Sequence, residues 1–76
     1  MDDRLITKME KNSQEEIRFS MQEYRGTDLV DIRVYYDGGG RDFIPTKKGI
    51  SIPLELFGEF MKQLGKVKKV VNAAFR

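Results

Sequence analysis

Cysteine and histidine are both absent from this chain of 76 residues. Without cysteine there is no disulfide, and without either residue a zinc or iron–sulfur site has no ordinary ligands. The same absence removes thiol nucleophiles and every triad built on histidine. The carboxylate pairs Asp2/Asp3 and Glu15/Glu16 lie in polar segments, where solvation accounts for them. No cofactor and no enzymatic activity are expected. No apolar run approaches the roughly 20 residues that span a bilayer. Met1-Asp2-Asp3-Arg4 opens no secretory hydrophobic segment, so an intracellular, soluble protein is expected. A chain this short buries a small share of its surface and needs support. With disulfides and metals excluded, close packing or a partner copy remains, and a homodimer is the expectation.

What is present is charge of both signs, unevenly placed. Residues 1–59 hold all 12 acids and 9 bases, a net of −3. Residues 60–76 hold 5 bases (Lys62, Lys66, Lys68, Lys69, Arg76) and no acid, a net of +5. Such a segment is either a nucleic-acid patch or a helix end whose cations complement the dipole.

Residues 1–15 are polar and mixed in charge and read as a flexible N-terminal extension. Leu5, Ile6 and Met9 suffice for one amphipathic helical turn at most. Residues 16–76 read as one domain. From Ile17 the period is two: Ile17, Phe19 and Met21 alternate with Arg18, Ser20 and Gln22, a half-buried strand. Gly26 and Asp28 supply turn chemistry. Leu29 to Tyr36 is the strongest strand signal, with Val30, Ile32, Val34 and Tyr36 on one face and Leu29, Asp31, Arg33 and Tyr35 on the other. The two strands read as an antiparallel hairpin. Asp37-Gly38-Gly39-Gly40 is a second turn. Arg41 to Pro45 reads as a short strand that Pro45 ends or confines to a sheet edge. Thr46-Lys47-Lys48-Gly49 reads as a basic turn and Ile50-Ser51-Ile52 as a last short strand. Pro53 then fits the start of a helix, Glu55 favours its first turn, and Phe57, Phe60, Met61, Leu64, Val71, Ala74 and Phe75 recur at helical spacing. Gly65 marks a candidate kink. The order is ββββα, an α+β arrangement.

The glycine run is no phosphate-binding loop, because Lys48-Gly49 reverses the order that a P-loop needs. The remaining chemistry is stacking plus charge. Single strands expose base faces and a phosphate chain, which flat side chains and cations on a sheet can bind. Tyr24 precedes Arg25, Arg33 is followed by Tyr35 and Tyr36, and Lys47 and Lys48 follow. On a four-stranded sheet these can converge on one outer surface. Each residue also has a plainer role: the tyrosines as core or subunit contacts, Arg33 as an ion pair of Asp31, Lys47 and Lys48 as a solvated turn. Tyr35 and Tyr36 point to opposite faces of a regular strand.

Tyr24-Arg25-Gly26, then Val30-Asp31-Ile32-Arg33 with Tyr35-Tyr36, then Pro45-Thr46-Lys47-Lys48-Gly49-Ile50-Ser51-Ile52, resemble the C-terminal domain of the transcriptional coactivator family called positive cofactor four. The resemblance covers about residues 17–75 and includes an aromatic, Phe57, near the helix start. It implies a curved four-stranded antiparallel sheet followed by a helix, helices packed at a homodimer interface, and a surface for single-stranded DNA. Carried onto this chain, the DNA contacts it implies are Tyr24, Arg25, Arg33, Tyr36, Lys47 and Lys48. The dimer contacts expected are Phe57, Phe60, Met61, Leu64 and Val71. Thr27 stands where the family often has a base, and Tyr36 where it often has tryptophan. No Ser-rich acidic leader of the eukaryotic type is present, so a prokaryotic or viral member is expected. Such a protein would be cytoplasmic and nucleoid-associated in a prokaryote, nuclear in a eukaryote. The expected function is sequence-tolerant binding of single-stranded DNA in transcription, replication or repair, together with the machinery of those processes. A protein–protein interaction module and a single-stranded RNA binder are the alternatives.

Overall fold

The computed structural model describes residues 4–40 and 42–75. Four strands, β1 (Arg4–Glu10), β2 (Glu15–Tyr24), β3 (Thr27–Asp37) and β4 (Phe43–Pro53), precede one helix, α1 (Leu54–Ala74). They form a single antiparallel sheet in sequence order, β1-β2-β3-β4, which is curved and open.

The β2–β3 hairpin pairs ten residues of each strand without a register shift. Tyr24 pairs with Thr27, so the loop is Arg25-Gly26 alone. Both loop residues have positive φ, 53° and 79°, as a type I′ turn requires to match the twist of the strands. Alternation then sorts the side chains. Ile17, Phe19 and Met21 face Val34, Ile32 and Val30 on one side, while Arg18 and Ser20 face Arg33 and Asp31 on the other. The sheet thus has an apolar face, which α1 covers in part, and a polar face.

Two sequence expectations change here. The extension expected over residues 1–15 contains β1, paired with β2 from Arg4↔Met21 to Glu10↔Glu16. All seven β1 residues are exposed, so the strand rests on backbone pairing with its neighbour rather than on an apolar alternation of its own. Asn12 closes the connection, its Oδ1 accepting from the backbone N–H groups of Gln14 and Glu15 at 2.9 Å each. Second, the short strands expected over Arg41–Pro45 and Ile50–Ile52 are one strand, β4. Arg41 itself lies outside the described residues, as does Arg76. Arg33 pairs with Gly49 and Tyr35 with Pro45, so Thr46, Lys47 and Lys48 bulge opposite the single residue Val34. Thr46 stabilises the bulge: its hydroxyl donates to the Val34 carbonyl at 2.8 Å and accepts from the Lys48 N–H at 3.1 Å. Pro45 sits on β4, an edge strand of the sheet, where proline is tolerated.

Pro53 (φ −57°, ψ 146°) leads into α1, and Glu55 lies in the first turn. The helix runs through Gly65 without a break to Ala74. Its last turn holds no basic residue, so Lys62, Lys66, Lys68 and Lys69 sit upstream of the carbonyl end that one of the two readings had them complement. Among the described residues, no helix is long and apolar enough to cross a membrane.

The core of the single chain is thin. Among the described residues only Val30 and Ile52, which pair across β3 and β4, are buried apolar side chains. No residue of α1 is buried. Phe57 and Phe60 are half-buried, their ring centroids 6.2 Å apart. Between helix and sheet lies an apolar cleft of about 510 Å³, lined by Phe19, Met21, Val30, Ile32, Phe57, Phe60, Met61 and Leu64 among others.

Candidate nucleic-acid interface

The polar face carries a connected set of charged side chains. Asp31, 1% exposed, is the most buried of them. Arg33 holds it side-on, Nε and Nη2 donating at 3.0 and 2.9 Å, and the Ser51 hydroxyl donates to it at 2.7 Å. Burial alone would raise the Asp31 pKa. The hydrogen bonds from Arg33 and Ser51, with the Arg33 charge, outweigh it and hold the carboxyl below its ordinary value. The bond to Asp31 correspondingly raises Arg33 above the usual guanidinium value. Arg33 also donates from Nη1 to the Thr46 carbonyl at 3.0 Å, which ties the ion pair to the bulge that bears Lys47 and Lys48. Three of its five N–H groups are thereby used, and one on each Nη remains.

Tyr24 and Arg25 occupy the hairpin tip. The Tyr24 ring is 62% exposed, and the Arg25 guanidinium carbon lies 5.2 Å from its centroid, within the range of a cation–π contact. By alternation Tyr24 belongs to the same polar face as Arg33. An exposed ring backed by a cation is a surface on which a flat, negatively charged ligand can stack.

The six expected contact residues do not all share one face. Arg33 and Tyr36 are an odd number of positions apart on one regular strand, so they point to opposite sides. Tyr36 pairs with Ile44 on the helix-bearing face and remains exposed. Lys48 is on that face too, at the rim of a shallow hollow floored by Ile17, Ile32, Val34 and Ile50. Lys47 is exposed on the bulge. Tyr24 and Arg33 therefore share the polar face, six register pairs apart along the hairpin, with Arg25 against the Tyr24 ring, while Tyr36 and Lys48 lie on the opposite face.

Sequence reasoning passed over Arg18. Its guanidinium carbon lies 4.6 Å from the Tyr35 ring centroid and 5.7 Å from that of Phe43, and its Nε donates to Glu16. Glu16 is itself buried and also faces Lys8 Nζ at 3.6 Å. The available signal was the spacing: Glu16-x-Arg18 on β2 repeats the Asp31-x-Arg33 arrangement of β3. Among the described residues no group of three or more acidic side chains is placed to hold a metal ion.

The profile of the family described as Transcriptional Coactivator p15 (PC4) matches residues 11–63. The RNA polymerase II transcriptional coactivator KELP of Arabidopsis thaliana is 39% identical over 55 residues, 72% of this chain and 33% of that protein. An RNA polymerase II transcriptional coactivator of Drosophila melanogaster is 36% identical over 52 residues, 68% of this chain and 46% of that one. The chain thus spans between about a third and a half of these curated relatives. Among solved structures, a PC4 homologue from Burkholderia pseudomallei superposes with a TM-score of 0.80 at 33% identity, covering 88% of this chain and 98% of that one. The bacteriophage T5 homologue of the eukaryotic coactivator, implicated in recombination-dependent DNA replication, gives a TM-score of 0.58 at 26% identity over 100% of this chain and 92% of its own. The sheet order, the terminal helix and the profile match agree: this chain belongs to the PC4 transcriptional coactivator family.

Proposed function

We propose that the protein is a dimeric, sequence-tolerant single-stranded DNA-binding protein that serves transcription or the handling of exposed strands during replication or repair. The observation that carries this reading is the exposed Tyr24 ring with the Arg25 guanidinium against it, on the face that also presents Arg33. Bases stack on Tyr24 and Tyr36, at about 1–3 kcal/mol per base. Arg25, Arg33, Lys47 and Lys48 neutralise phosphates. Relatives that act with RNA polymerase II, and a phage relative implicated in DNA replication, support a role beside such machinery.

The thin core supports the dimer. An apolar cleft and exposed Met61, Leu64, Val67, Val70 and Val71 on one helix are more apolar surface than a small monomer ordinarily leaves in water. A second copy that lays its helix against this one covers them.

Titration of labelled oligo-dT at two salt concentrations tests the reading. Tighter binding to single strands than to duplex, weakening as salt rises, is the expected result. Affinity indifferent to salt, or preference for duplex, refutes it. Competition with matched RNA oligomers decides between the two backbones. The double variant Arg33→Ala with Tyr36→Ala, if folded, loses oligonucleotide binding. Retained binding removes Arg33 and Tyr36 from the interface, whereas failure of the wild-type chain to bind any oligonucleotide turns the assignment toward a protein-docking module.

A further inference from the structure

Strand register places three cations in one row. Lys8 on β1 pairs with Arg18 on β2, and Arg18 pairs with Arg33 on β3. All three side chains are on the polar face, and the row ends at Gly49 on β4, which adds no side chain. With neighbouring strands about 4.8 Å apart, the row spans about 10 Å across the sheet. Like charges directly opposite one another weaken a sheet, so the row opposes folding and calls for an explanation.

The carboxylates that offset it are set low and to one side. Glu16 is 5% exposed and Asp31 1%, each two residues before its arginine. They offset two of the three positive charges and hold the guanidinium groups by their inner edges. The Arg18 and Arg33 side chains are each 23% exposed. Neither Nη of Arg18 meets a hydrogen-bond acceptor among the described residues, and each Nη of Arg33 keeps one N–H. The Lys8 side chain is 53% exposed. Arg18 cannot swing away freely, because the rings of Tyr35 and Phe43 flank it.

We propose that Lys8, Arg18 and Arg33 form a phosphate-binding rib across the polar face, a subsite for the phosphodiester backbone of a bound single strand. Lys8 and Arg18 extend the interface beyond the contacts assigned above, and they bring β1, the strand that the sequence left as an extension, into the binding surface. The buried carboxylates orient the arginines and prevent the row from driving the strands apart before the polyanion arrives. This inference rests on the proposed single-strand binding.

The test is the salt dependence of oligo-dT binding by the full chain and its variants Lys8→Gln, Arg18→Gln, Glu16→Gln and Lys69→Gln, each checked for folding by circular dichroism. Loss of one phosphate contact lowers the slope of log affinity against log salt by about 0.7. Lys8→Gln and Arg18→Gln should each show that drop, with affinity at low salt reduced roughly tenfold for Arg18→Gln. Glu16→Gln removes a negative charge beside the row and should tighten binding, an effect that a purely structural Glu16–Arg18 pair would not give. Lys69→Gln, on the helix, should keep the wild-type slope. Lys8 is exposed enough to be changed without loss of fold, so it decides the matter if Arg18→Gln does not fold. Wild-type slope in Lys8→Gln and in any folded Arg18→Gln, or an equal drop in Lys69→Gln, overturns the rib and leaves single-strand binding standing. Failure of the wild-type chain to bind oligo-dT overturns both.

Discussion

Gly49 lies directly across from Arg33 at the inner margin of the β4 bulge, and the two backbones are in close approach. A Cβ on Gly49 would stand 2.7 Å from the Ile32 carbonyl oxygen and 2.9 Å from the Arg33 Cα. These are backbone atoms of a central strand and cannot move aside like a side-chain tip. Gly49→Ala should therefore destabilise the fold by about 1–3 kcal/mol, the usual cost of overpacking. It should also loosen the bulge, because Arg33 donates to Thr46 there. Urea unfolding measures the first effect, and a midpoint equal to that of the wild type would refute it.

The Asp31–Arg33 pair predicts a pH signature. The Asp31 carboxyl is held below its ordinary value of 3.8 in the folded chain. A lowered folded value means that the charged form stabilises the fold above the unfolded value, and that this contribution is lost as pH falls through the folded one. Asp31→Asn, which cannot ionise, should be less stable than the wild type near neutrality. The gap should close as pH drops below about 4. Thermal melts of both proteins across that range test this, and a gap independent of pH would assign the loss to packing alone.

Most of the hairpin was legible because its alternation is clean and its turn is chemically marked. A two-residue turn at Arg25-Gly26 fixes every partner across β2 and β3, so the opposition of Arg18 and Arg33 follows from the sequence once the turn length is known. Gly26 marked the turn, but an arginine with positive φ beside it did not announce itself. Residues 4–10 gave no strand signal because their apolar residues do not alternate: the strand stays exposed throughout, and only Ile6 and Thr7 reach the apolar cleft. The Thr46-Lys47-Lys48-Gly49 stretch was read as a turn, since a bulge and a turn draw on the same residue types. What separates them is the Thr46 hydroxyl on the Val34 carbonyl, a contact between distant positions. Tyr36 was grouped with Arg33 through the family resemblance, although the alternation along the strand already put them on opposite faces.

Arg25 predicts a trade between stability and binding. Its φ of 53° is unfavourable for a side chain with a Cβ, and glycine or asparagine is preferred at that position of a type I′ turn. Arg25→Gly should stabilise the fold by about 0.5–1 kcal/mol and weaken oligo-dT binding several-fold. A rise in melting temperature with unchanged affinity would remove Arg25 from the interface. A fall in melting temperature would show that the contact with the Tyr24 ring outweighs the backbone preference.

Leu64 tests the dimer most directly. It lines the cleft between α1 and the sheet yet remains exposed, so in one chain its burial is incomplete. If a second copy completes that burial, a carboxylate there is stranded in an apolar interface, at a cost of several kcal/mol. Leu64→Glu should then give monomers or unfolded chain by light scattering. Were Leu64 only a surface residue of a stable monomer, the substitution would shift stability by about 0.5 kcal/mol or less and leave the mass unchanged. A fully stable dimer carrying Leu64→Glu refutes this helix face as the interface. Loss of the dimer with the fold retained would, in addition, allow single-strand binding to be measured on one polar face alone, which separates the contribution of each sheet from that of the pair.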